Sequence, residues 1–106
     1  MNEQKIQEMQ ILEQKLQNSM MQKQAFQMEL AETNSALSEL EKSGEEVFKI
    51  IGQLMIKSEK PKIRAELEDK KKILELRINS FEKQENIFAG QLEKIREEFT
   101  NPGKNK

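Results

Sequence analysis

Apolar residues recur at spacings of three and four through two stretches of this 106-residue chain, 2–42 and 61–99. In the first, Met9, Leu16, Lys23, Leu30 and Leu37 share one heptad row. Leu12, Ser19, Phe26, Thr33 and Leu40 share the other. In the second, Leu67, Leu74, Phe81, Phe88 and Ile95 form one row, and Lys71, Ile78, Glu85, Leu92 and Phe99 form the other. Such a narrow seam suits two helices that bury it against each other as a coiled coil; a helix on a globular core shows a wider stripe. Two stretches of this length leave little chain for anything else. The composition agrees, with 35% charged and 35% hydrophobic residues. A compact domain carries about a quarter charged and nearly half apolar. Glu, Lys, Gln and Leu dominate and favour helix. Four glycines and two prolines seldom interrupt it.

The helix ends are marked. Gly44 sits just past the first stretch, where a C-cap favours a residue free to turn left-handed. Pro61 suits the first turn of the second helix, because its missing N–H would be unpaired there anyway. Asn101-Pro102-Gly103 should end that helix, leaving 100–106 as a frayed tail. Each helix spans roughly 60 Å at 1.5 Å per residue. The whole of 1–106 reads as one domain: helix 1–43, hairpin 46–58, helix 61–99. An antiparallel return aligns both seams in one register. Leu37 then faces Leu67, Leu30 faces Leu74, Phe26 faces Ile78, Leu16 faces Phe88, Leu12 faces Leu92 and Met9 faces Ile95. Three layers are polar: Thr33 with Lys71, Lys23 with Phe81, and Ser19 with Glu85. Lys23 and Glu85 are placed to pair diagonally. Polar layers either fix the register or loosen the helix pair beyond them.

Between the helices, residues 47–57 are β-branched and apolar, with Gly52-Gln53 at the centre. Glycine at the first central position fits a type II′ hairpin turn. A lone two-stranded hairpin is marginal in water. Here Phe48, Ile50, Leu54 and Ile56 cannot all face one helix pair. Val47, Phe48, Ile50, Ile51, Gly52, Leu54 and Ile56 are therefore expected to form an oligomerisation hairpin, joining a sheet made with other subunits that removes its open edges.

Much chemistry is excluded. The chain has no Cys and no His, so thiol chemistry, disulfides and the commonest general base and metal ligand are missing. A net charge of −1 gives no footprint for nucleic acid. Lys70-Lys71-Lys72 is a short basic run flanked by Glu66, Glu68 and Asp69. Glu45-Glu46 reads as a solvated face. No apolar run approaches the roughly eighteen residues of a membrane span. Residues 1–4 lack the character of a signal peptide. The expectation is a cytoplasmic protein, not an enzyme, with no cofactor, no bound metal, no nucleic acid and no membrane partner.

The end that carries both termini is apolar again. Ile6, Met9, Ile11, Leu12, Phe88, Leu92, Ile95 and Phe99 gather there, and Ile6, Ile11 and Met20 lie off the seam, where a closed pair leaves them exposed. Adaptable Met and Phe side chains suit varied apolar partners, and a cluster of exposed apolar residues marks an interaction site. These eight residues are the expected binding site.

The hairpin run Val47-Phe48-Lys49-Ile50-Ile51-Gly52-Gln53-Leu54-Met55-Ile56-Lys57 resembles the pattern Val-Tyr-Lys-x-x-Gly-x-Leu-Leu-Val-Lys of β-class prefoldin subunits, especially the archaeal form. Phe48 stands for the usual tyrosine. Leu74-Glu75-Leu76-Arg77-Ile78 and Phe81-Glu82-Lys83-Gln84-Glu85 resemble that family's second helix, and Leu37-Ser38-Glu39-Leu40-Glu41 the end of its first. The resemblance covers nearly the whole chain. One hairpin, where the α class has two, fits the β class. It implies a mainly α fold, a long antiparallel two-helix coiled coil whose hairpin joins an intersubunit β-barrel. It implies a heterohexamer of two α and four β subunits. The arm tips would hold unfolded polypeptides without ATP and deliver them to a group II chaperonin. The alternative is a structural coiled-coil scaffold with one fixed protein partner.

Overall fold

The computed structural model describes residues 3–100. The order is α1 (Glu3–Lys42), β1 (Glu46–Ile51), β2 (Leu54–Glu59) and α2 (Lys60–Thr100). Two long helices with a β-hairpin between them make a mainly α fold, as expected. The chain divides into two compact units, one joining residues through Ala25 to those from Ile78, the other spanning Phe26–Arg77.

Within each unit α1 and α2 run antiparallel. In the first, Lys23 Nζ meets Glu85 Oε2 at 2.8 Å, Lys5 is ion-paired with Glu98, and Arg96 lies 3.8 Å from Glu13. In the second, Lys70 lies 3.5 Å from Glu29, and Arg64 Nε donates to Glu41 Oε1 at 2.8 Å. The heptad rows explain which faces meet: every residue of the four rows is buried or half-buried. Ser19 and Thr33 are as buried as the leucines, at 5% and 3% exposure. Burial would be costly without a partner for each hydroxyl. Ser19 Oγ donates to Gln84 Oε1 at 3.1 Å, and Thr33 Oγ1 donates to the Glu29 carbonyl one turn back at 2.9 Å. Arg77 lies over the Phe26 ring, 5.4 Å from its centroid, a cation–π contact.

The strands pair antiparallel, with Ile51 opposite Leu54 and Glu46 opposite Glu59. The two-residue turn has Gly52 at φ 60°, and no other described residue has positive φ. Positive φ at the first central position alone is the type II′ pattern.

Two helix ends differ from expectation. Gly44 is not left-handed. The end of α1 is closed instead by Ser43, whose N–H and hydroxyl both donate to the Leu40 carbonyl, at 3.2 and 2.7 Å. A hydroxyl that reaches back satisfies the carbonyl the helix leaves open, so no glycine reversal is needed. Helix α2 begins at Lys60, one residue before the proline, which still lies in the first turn. The expected stop at Asn101-Pro102-Gly103 and the tail beyond it lie outside the described residues, and α2 runs through Thr100.

Candidate functional site

Two apolar surfaces stand out, one in each unit. The first is at the terminal end of the helix pair. Leu12, Leu92 and Ile95 are buried there together, and Met9, Leu16, Phe88 and Phe99 pack around them. Leu12 and Leu92 share a cluster, as the expected register requires. Of the eight expected binding residues, three are therefore core, three are half-buried beside it, and Ile6 and Ile11 are exposed at 40% and 53%. An open groove runs alongside, lined by Ile6, Met9, Gln10, Glu13, Arg96, Phe99 and Thr100. It offers a mouldable apolar floor with one acid and one base at its margin. The heptad rows continue through this end to Phe99, which is half-buried.

Ser19, Lys23, Gln84 and Glu85 form the polar layer next to that cluster. The diagonal pairing of Lys23 with Glu85 is present. Ser19 bonds Gln84 rather than Glu85. The second oxygen of Glu85 is buried with no hydrogen-bond partner.

The second surface is the hairpin. Phe48, Ile50, Ile51, Leu54, Met55 and Ile56 are exposed, and Val47 is half-buried. Cross-strand partners share a face. One face thus carries Phe48, Ile50 and Met55, and the other Ile51, Leu54 and Ile56. Both faces are apolar, as the sequence implied. The first lines a groove with Ala36, Leu40, Ile63 and Leu67 of the helices. Met55 belongs to the surface and escaped the sequence reading. Its signal was available, since a two-residue turn makes it the direct partner of Ile50. Met21, Met28, Ile73, Leu76 and Ile87 are also exposed and lie off the heptad rows.

Among the described residues no group of side chains is arranged to hold a metal ion. No helix among them is long and apolar enough to cross a membrane.

The family pattern described as prefoldin subunit matches residues 3–101. The chain belongs to the prefoldin subunit family. Relatives named prefoldin subunit beta align along most of it. That of Sulfurisphaera tokodaii is 39% identical over 89 residues, covering 82% of this chain and 71% of the relative. That of Pyrobaculum calidifontis is 36% identical over 86 residues, covering 79% and 69%. A crystal structure of the prefoldin beta subunit from Thermococcus strain KS-1 superposes with a TM-score of 0.81 at 35% identity, covering 87% of this chain and 82% of that one. The resemblance to β-class prefoldin subunits read from the hairpin and second-helix motifs is thereby shown. Prefoldins are chaperones that work as assemblies of subunits, and this chain shares their helix–hairpin–helix form.

Proposed function

We propose that the chain is a β-class subunit of a cytoplasmic prefoldin heterohexamer of two α and four β subunits. It acts as an ATP-independent holdase with no catalytic step. Its hairpin joins an intersubunit β-barrel, and the terminal ends of its helices hold unfolded polypeptides for a group II chaperonin. The observation that carries the assembly half is the hairpin with two exposed apolar faces and two unpaired edges, a surface that water disfavours and other hairpins would cover. The holding half is supported by the groove beside Ile6, Met9 and Phe99, whose floor is apolar and adaptable.

Two measurements separate these halves. Replacing the exposed Ile6 and Ile11 together by serine leaves the buried trio and the side chains packed around it in place. It should abolish suppression of aggregation of unfolded model proteins while assembly with α-class partners persists. Full suppression by that variant would mean that clients bind elsewhere. Ile50→Asp should prevent assembly, and an unchanged hexamer on sedimentation would sink the barrel reading. The closed packing of Leu12, Leu92 and Ile95 also suits a rigid scaffold with one fixed partner. A scaffold would keep that partner in the presence of excess unfolded chains, whereas a holdase would exchange its cargo.

A further inference from the structure

Burial within the chain does little to aim the hairpin. From Phe48 to Lys57 every residue is exposed, and only Val47 and Ser58 among the strand residues reach half-burial. Beside the shallow groove its inner face shares with the helices, the hairpin is tied by polar contacts, and the half-buried one sits at its base. Lys60, half-buried at the start of α2, donates from Nζ to the Ser43 carbonyl at 3.0 Å and more weakly to the Glu41 carbonyl at 3.5 Å. These carbonyls lie at the C-terminal end of α1, where intrahelical partners run out and the helix dipole favours a cation. Ser43 is itself fixed by its hydroxyl to Leu40. The hairpin leaves after Ser43 and returns just before Lys60, so this contact pinches its two legs together. Lys49 Nζ to Glu66 Oε2, at 2.9 Å, adds a tie from β1 to α2. That pair is more than 40% exposed on both sides, and exposed pairs contribute little and are screened by salt. Lys60 differs because its acceptors are backbone carbonyls, that of Glu41 inside α1 and that of Ser43 just past its end and anchored to Leu40.

We propose that Lys60 is a positioning residue for assembly: it clasps the end of α1 and presets the direction of the hairpin. The proposal rests on the assembly reading above. Lys60→Met keeps most of the apolar stem and removes the donor, and Lys60→Arg keeps a donor. The chain is titrated with its α-class partner, with Ile50→Asp as a parallel variant. Lys60→Met should raise the concentration for half-assembly about tenfold, the effect of one charge-assisted hydrogen bond. Its helix content should be unchanged, and Lys60→Arg should recover most of the loss. In the unassembled chain, amide exchange at the hairpin should quicken while exchange in the helices does not. Wild-type assembly by Lys60→Met, with Ile50→Asp defective, overturns the clasp and leaves the assembly reading standing. Normal assembly by both variants overturns that reading and the clasp with it. Failure of Lys60→Arg to recover assembly, or exchange that rises equally in hairpin and helices, also overturns the clasp.

Discussion

Gly52 holds a backbone conformation that L side chains rarely adopt, with φ at 60°. A Cβ built there meets nothing within 4 Å. The cost of Gly52→Ala is therefore backbone strain alone, about 1–3 kcal/mol. Hairpin amide exchange in the free chain should accelerate accordingly, and Gly52→Asn should lose less, since Asn tolerates positive φ better. Thr33 makes the opposite case. Its hydroxyl bonds only its own helix, so Thr33→Val leaves no buried group orphaned. Its midpoint in urea should stay equal or rise, by up to about 1 kcal/mol in stability. At this scale the sequence is uneven to read. Gly52 was legible because a two-residue turn between apolar strands has few solutions. The role of Gly44 was misread because Ser43 next to it can close a helix without a left-handed residue. Lys60 was not legible at all, since its partner lies seventeen positions away and only the fold brings them together.

The helices were the most legible elements, because a seam of period 3.5 can be satisfied only by a partner seam. The polar layers follow that logic. Lys23 and Glu85 are about four-fifths buried as side chains, at 22% and 17% exposure. Lys23→Met alone strands a carboxylate that already has one unpartnered oxygen. The loss should be about 1–3 kcal/mol, less than for a fully dry pair. Joining it to Glu85→Leu should restore or exceed wild-type stability in urea, because the desolvation cost of both charges then disappears. If the double variant is no better than the single, the pair contributes net stability. The terminal cluster offers a sharper contrast. Leu92 is 3% exposed and Ile11 53%. Leu92→Ala should cost about 2–5 kcal/mol, and Ile11→Ala no more than about 0.5. Both residues belong to the expected binding site. The heptad rows could have sorted them, since Leu92 lies on a row and Ile11 does not.

For the molecule as a whole, the apolar residues divide into a buried seam and an exposed remainder, which is scattered along the helices and densest in the hairpin. The seam accounts for the helix pair without help from other chains. The hairpin has no such account inside the chain, and this is why its form was legible in sequence while its surroundings were not. In the proposed assembly those surroundings are other subunits. Six large apolar side chains on a two-stranded ribbon with unpaired edges make the free subunit a different object in water from the assembled one. Its tolerance of overproduction then depends on gene dosage. Made in excess of its partners, the chain should turn to self-association or precipitation, and co-production of the α-class subunit should return it to solution. The feature that makes the subunit useful to its assembly also makes an orphan copy one of the unfolded-like surfaces that chaperones exist to cover.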